Sequence, residues 1–367
     1  FAPPTCWLFK DGRGPRKQKG CVSGWTGATG PTPAPPPAPT PSPPATPPPP
    51  KPEPPSPDPP APTKPVQVYI LMGQSNMLGE GTITGYKDGT LEYAVAAKHL
   101  YPYLIDKSGD WAVRKDVRNV YVMGNGNNPF NESKMMHNEW MGVNNTIKKS
   151  IGPELGIGNF VTNSTGGPVM MLKTCIGNRA LGWDLLPPGS KEYEYTDSNN
   201  VTWVYAGYHE SPMKWKKGTK PTPGGWIAGE QYDGDTANAK AILADLNTYY
   251  PGAKSYEVAG FFWWQGDKDS RDMGLSTHYE QNLVGLINAL RKDFNAPKAK
   301  FVTASLGQTV KGATDGGGKI LDAMLAVDGN SGKYPQFKGN VAAVYTHPLL
   351  AAPGSSGGHY GDNAETY

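Results

Sequence analysis

Residues Val66 to Gly81 read VQVYILMGQSNMLGEG, and the first seven are apolar or aromatic apart from Gln67. Such a run suits a strand covered on both faces, as in a parallel sheet. Gly73-Gln74-Ser75-Asn76 then falls where a strand of an α/β protein hands over to a helix. A serine at that place has two readings. Its hydroxyl caps the helix, or its hydroxyl is a nucleophile, aimed by the turn together with its own N–H.

Outward from this stretch the same alternation recurs. Pro168–Cys175 (PVMMLKTC), Glu257–Trp264 (EVAGFFWW), Phe301–Leu306 and Val341–Tyr345 read as further strands. Between them, Gly152–Asn163, Ala237–Tyr250 and Tyr279–Phe294 carry helical spacing. In the last of these Leu283, Leu286, Ile287 and Leu290 share one face, and Arg291 and Lys292 close the final turn. This pattern predicts a parallel central sheet with helices on both faces. Ligands then gather at the C-terminal ends of the strands. The segment from Asp184 to Trp226 has no period and is rich in Tyr, Trp, Pro and Gly. Its aromatic content predicts an ordered, packed loop beside the site.

Composition divides the chain. Residues 31–65 are a Pro-rich run with no other apolar residue larger than Ala, so they cannot bury enough surface to order themselves. They read as a disordered, extended spacer that at ~3.1 Å per residue reaches on the order of 100 Å. That leaves residues 1–30 as a fragment of an upstream module and residues 66–367 as one large unit. Within residues 1–30, Cys6 and Cys21 are able to pair, while Cys175 reads as a small buried hydrophobe. The formal net charge of +3, with no dense Lys/Arg stripe, excludes a nucleic-acid footprint. No run of eighteen apolar residues exists, so no membrane-spanning helix is predicted. Asn131, Asn144, Asn163 and Asn200 open sequons.

Four strand ends carry chemistry-bearing residues: Gly73-Gln74-Ser75-Asn76, Gly177-Asn178-Arg179, Trp264-Gln265-Gly266-Asp267, and a Gly/Ser-rich loop ending in Gly358-His359-Tyr360. A hydroxyl becomes a nucleophile when a base takes its proton and donors receive the oxyanion. Ser75 with its own N–H, Gly177 and the amide of Gln265 meet the second need. His359 meets the first. This is a serine-hydrolase constellation drawn from separate loops, recognised by roles rather than order.

GQSNM, followed by GPEL, a G-N-R…W segment and WWQGD, resembles the SGNH-hydrolase superfamily. Within it, these motifs are similar to the sialate O-acetylesterase and acetylxylan esterase branch of carbohydrate esterases. The resemblance spans most of residues 66–367. It implies a three-layer α/β/α fold of the SGNH, flavodoxin-like kind. The implied activity is hydrolysis of an O-acetyl ester on a sugar, with no metal and no cofactor. Residue by residue it makes Ser75 the nucleophile, His359 the general base, and Ser75, Gly177 and Gln265 the oxyanion donors. Asn178 and Arg179 stand where the family has Gly and Thr. With Trp183 and Trp264 they are the expected substrate contacts, and Trp203, Trp215 and Trp226 are further platforms for a sugar face.

The acid is the departure. Relatives carry D-x-x-H, and here Ser356 stands at the Asp position. Asp267, in place of the family's Glu in W-x-Q-G-E, is the expected partner, with Asp362, Asp269 or a Ser75–His359 dyad as alternatives. His347, directly after the last strand, competes with His359. The expected partner molecule is an acetylated carbohydrate and the expected location is secreted or extracytoplasmic. The alternatives are an SGNH esterase acting on a non-carbohydrate ester and a decayed hydrolase retained as a carbohydrate-binding module. Residues 5–25 resemble the closing strand and tail of a PAN/apple module. Relatives continue past the residue equivalent to Tyr367 into a final helix, so a C-terminal truncation is expected.

Overall fold

The structure is a computed structural model that describes residues 59–143, 150–350 and 363–367, together with an antiparallel strand pair, Cys6–Leu8 and Arg16–Gln18. The Pro-rich spacer up to residue 58, the Cys6–Cys21 pairing, His359 and Asp362 lie outside the described residues.

Seven strands build the central sheet: β1 (Val66–Gly73), β2 (Val113–Met123), β3 (Lys134–Gly142), β4 (Val169–Thr174), β5 (Tyr256–Trp264), β6 (Lys300–Ala304) and β7 (Val341–Val344). Their spatial order is β7-β6-β5-β1-β4-β2-β3. Every neighbouring pair is parallel except β2 with the edge strand β3. Set the β2–β3 pair aside, and the remaining strands lie in the order second, first, third, fourth, fifth. This is the flavodoxin-like doubly wound order, whose switch point lies between the first and third strands. Here those strands are β1 and β5. Ser75 follows one and Gln265 follows the other.

The period of two along each strand sorts side chains between the layers. Val66, Val68, Ile70 and Met72 of β1 enter one core, and Leu71 enters the other. In β4, Met170 and Leu172 face the first core while Val169 and Met171 face the second. Helices α1 (Ser75–Leu78), α2 (Leu91–Ala96), α3 (Pro153–Thr165), α4 (Glu230–Ala244), α5 (Tyr279–Asp293) and α6 (Gly316–Val327) cover the sheet. The first core takes Ile242 of α4, Leu286 of α5 and Met324 of α6, and the second takes Val95 of α2 and Leu155 of α3. The result is a three-layer α/β/α domain. Leu283, Leu286 and Ile287 of α5 are wholly buried, as their shared face predicted. Burying each contributes about 1.5–3 kcal/mol relative to exposure.

The Asp184–Trp226 segment is more regular than its sequence. Tyr193–Thr196, Thr202–Tyr205 and Lys214–Lys216 form a three-stranded antiparallel sheet. It packs through Tyr205 onto a third core with Trp183, Leu186, Ala228 and Leu275. The end of the Pro-rich segment also departs from a free spacer. Lys64 donates to the Gly166 carbonyl at 3.5 Å, and Ala61 sits against Gly252.

Candidate active site

Strand β1 ends at Gly73, whose φ of +147° disfavours any side chain. A Cβ there would collide with the Trp264 carbonyl, so glycine lets β1 and β5 close together at their ends. Gln74 N–H then donates to that same carbonyl at 3.1 Å, and α1 opens at the next residue. Ser75 is the first residue of α1, not its cap. The cap position belongs to Gln74, which makes no side-chain capping bond. Capping therefore does not account for the serine. Its hydroxyl and its N–H have no hydrogen-bond partner among the described residues, and the turn closes through Gly79 N–H onto the Ser75 carbonyl at 3.1 Å.

Gly177 comes to the same point from β4. A methyl placed on it would lie 3.9 Å from Ser75 Cβ, and its N–H is likewise unpartnered among the described residues. Two uncommitted N–H groups beside a free serine hydroxyl are what an oxyanion site requires.

Gln265 occupies a different place from the expected one. It is wholly buried, and its Nε2 faces Asp269 Oδ2 at 2.6 Å, the Arg179 carbonyl at 2.8 Å and Gln74 Oε1 at 3.1 Å. Its Oε1 accepts from the Tyr279 hydroxyl at 2.8 Å. An amide has two N–H donors, so neither is left for an oxyanion. Gln265 is a hub tying the turns after β1, β4 and β5 together.

The acids divide by environment. Asp269 is fully buried and accepts from Leu181 N–H at 2.9 Å and Gly182 N–H at 2.8 Å besides Gln265. Burial pushes its carboxyl up to about 6, against the pull of those donors. Asp184 accepts from Ala180 N–H at 2.7 Å and from Lys268 Nζ at 2.8 Å. Asp267 is partly exposed and ion-paired with Arg271 one helical turn on.

Of the expected substrate contacts, Asn178 is exposed, with a left-handed φ of 57°. Arg179 is half-buried over the ring of Trp226, 5.0 Å from its centre. The two remaining tryptophans are packing residues instead. Trp264 is 5 % exposed, with Nε1 donating to the Ser305 carbonyl at 2.9 Å. Trp183 belongs to the third core. Trp203 and Trp215, on the three-stranded sheet, are half-buried against that core. His347 Nδ1 donates to the Gly307 carbonyl at 2.6 Å, since a carbonyl only accepts.

The chain returns to the nucleophile after His359. Tyr367 donates to Asn76 Oδ1 at 3.3 Å, and its ring lies 5.7 Å from that of Trp264. Ala364 N–H donates to the Gly89 carbonyl at 2.8 Å, and Glu365 pairs with Lys98 at 2.6 Å. Sequence reasoning missed Gln74, Gln231 and Asp184. Gln74 stood inside the quoted motif, between a buried strand and the serine, and that position was the readable signal. Gln231 and Asp184 lie in stretches without a motif.

Residues 211–327 match the family model described as carbohydrate esterase, sialic acid-specific acetylesterase. Of the motifs quoted above, WWQGD lies inside that span. The match agrees with the resemblance, and the chemistry it names is hydrolysis of acetyl esters on carbohydrate. No curated protein matches the sequence. Among solved structures, the chain is similar to an Arabidopsis thaliana protein at 16% identity and a TM-score of 0.47, covering 82% of this chain and 94% of that one. A carbohydrate acetylesterase from Xanthomonas citri is 14% identical with a TM-score of 0.44, over 82% of this chain and 54% of that one. NanS is 14% identical with a TM-score of 0.38, over 80% of each chain.

Proposed function

We propose that residues 66–367 form a serine esterase that removes O-acetyl groups from an acetylated carbohydrate (sialic acid, xylan or another glycan) through an acyl-enzyme, outside the cytoplasm. One observation carries the reading: the Ser75 hydroxyl and N–H, without a hydrogen-bond partner among the described residues, sit at the head of α1 beside Gly177, whose N–H is likewise unpartnered there. Ser75 gives its proton to the base and attacks the acetyl carbonyl, and the Ser75 and Gly177 N–H groups receive the developing oxyanion. The tetrahedral intermediate collapses by breaking the ester C–O bond, and the sugar oxygen leaves with the proton held by the base. Water, deprotonated by the same base, then releases acetate from the acyl-serine and the proton returns to Ser75.

His359 is assigned the role of general base. It stands four residues before Asn363, and the segment Asn363–Tyr367 is fastened to Gly89 and Asn76. Asp267 is assigned as its orienting acid: it is the partly exposed carboxylate of the β5 turn and its ion-pair partner Arg271 is an exposed side chain that can be exchanged for the imidazole, whereas Asp269 is buried on backbone N–H groups. His347 is the competing base. In the neutral ring, the Nδ1 proton donated to the Gly307 carbonyl leaves Nε2 as the bare nitrogen, the tautomer a base needs.

Acetate release from acetylated sugars and from p-nitrophenyl acetate tests these roles. Ser75→Ala is expected to lower kcat by roughly a thousandfold or more. An active parent that Ser75→Ala leaves unaffected would sink the mechanism. Loss in His347→Ala with full activity in His359→Ala would transfer the base to His347, and loss in Asp362→Asn alone would displace Asp267.

A further inference from the structure

We propose that Arg179 is an anion-recognition residue, so that the sugar presented to Ser75 bears a carboxylate or a sulfate. The proposal rests on the esterase reading for the position of the scissile ester. Arg179 lies two residues beyond Gly177, which places its backbone within about 7 Å of that oxyanion glycine. The side chain then runs toward the turn after β2. Nε donates to Gln231 Oε1 at 3.0 Å, one Nη to Asn125 Oδ1, and the other to the Asn178 carbonyl at 3.4 Å.

These partners are all neutral. Three bonds leave two of the five guanidinium donors uncommitted among the described residues. No carboxylate among the described residues lies within ion-pair distance of Arg179, and those of the neighbouring turns hold other partners. Asp184 holds Lys268, Asp267 holds Arg271, and Asp233 accepts from Tyr208 at 2.5 Å and faces His209 at 2.7 Å. Asp235, wholly buried, is pushed by burial toward its neutral form, against the opposing pulls of Gln231 and of Arg179 itself. Arg291, by contrast, spends its guanidinium on the Ala299 and Asn340 carbonyls, as a strap does.

Preorganisation separates this arginine from a loose surface charge. Gln231 is wholly buried, and its Oε1 also accepts from Gly126 N–H at 2.9 Å. Its Nε2 donates to the Gly124 carbonyl at 3.1 Å and to Asp235 at 2.8 Å. Trp226 supports the guanidinium from one face. The charge is therefore held in place before an anion arrives, which spares the cost of ordering it on binding. Guanidinium recognises planar carboxylates and sulfate-like oxyanions through paired donors.

Equilibrium titration of the Ser75→Ala protein with glucuronate, a glucose sulfate and glucose tests the idea without turnover. At least one anionic sugar is expected to bind about 10–100-fold tighter than glucose, the worth of a charged hydrogen-bonded contact. Adding Arg179→Met should erase that preference, and Arg179→Lys should restore part of it. Which anion gains identifies carboxylate or sulfate. Equal binding of all three sugars, or a preference that survives Arg179→Met, overturns the proposal. So does a lost preference accompanied by a lowered Tm that Arg179→Lys repairs without restoring selectivity, since Arg179 is then a structural strap. A parent that binds the anion through Arg179 yet releases no acetate would refute the esterase reading alone.

Discussion

Gln74 and Gln265 meet across the switch point, with Gln265 Nε2 donating to Gln74 Oε1 at 3.1 Å. Both are buried, so the bond lies beneath the nucleophile rather than beside the substrate. Because Gln74 immediately precedes Ser75, whatever fixes its side chain fixes the start of α1. The geometry of the nucleophile is thus set from β5 through a side-chain amide.

Gln265→Leu should therefore act on stability and turnover together. It removes one hydrogen bond each from Asp269, the Tyr279 hydroxyl, the Arg179 carbonyl and Gln74. With about 0.5–1.5 kcal/mol for each bond lost, a loss of roughly 3 kcal/mol is expected in urea unfolding. A residue serving only the oxyanion would lower kcat and leave the urea midpoint in place.

Gly73→Ala tests the close approach of β1 and β5. The added methyl meets the Trp264 carbonyl, which is backbone and cannot swing aside, at a φ of +147°. Such a substitution belongs with the strained and overpacked class. A fall in stability of about 2–4 kcal/mol is expected by thermal or chemical unfolding, and kcat should drop in the protein that remains folded. Unchanged Tm and kcat would mean that the strand ends are free to separate.

What the sequence disclosed follows from burial. Strands β1, β4, β5, β6 and β7 are short apolar runs, and their readings fall within two residues of the observed limits. β2 escaped because its first half, VRKD, is charged and solvated before the apolar half begins. The edge strand β3 escaped for a similar reason, with Lys134 and Met135 exposed at its start. α6 opens on three glycines, poor helix formers, and is started by Asp315 accepting from Gly318 N–H at 2.8 Å. That cap was readable, and the glycines hid it. At the site, Ser75 and Gly177 were legible because glycine turns mark strand ends. The inward turn of the Gln265 amide was not, since it depends on residues distant in sequence.

A second buried link holds the far end of α1. Lys173 Nζ pairs with Glu154 at 2.5 Å and donates to the Leu78 carbonyl at 2.9 Å, so β4, α3 and α1 share one cation. Removing one partner leaves an uncompensated buried charge, and Glu154→Ala should cost about 3–5 kcal/mol. Glu154→Ala combined with Lys173→Met should recover part of that loss, while kcat stays low because Leu78 lacks its donor. Additive losses in the double-mutant cycle would refute the coupling.

Asp269 gives the domain a pH dependence of known sign. Burial raises its carboxyl from an ordinary 3.8 to about 6, so the folded protein holds a proton that the unfolded chain releases between these values. The stability this contributes is fully present below about pH 3.8 and is lost as pH rises through about 6. Across that window the change amounts to roughly 3 kcal/mol. Asp269→Asn removes the titration, although it leaves the Leu181 and Gly182 N–H groups one oxygen instead of two. Because other carboxylates titrate over the same range, the quantity to follow is the difference in unfolding free energy between parent and Asp269→Asn. That difference should favour the parent most at pH 4 and shrink by up to about 3 kcal/mol by pH 7. A difference that stays level, or grows with pH, would mean that Asp269 is ionised throughout and that its three N–H donors outweigh its burial.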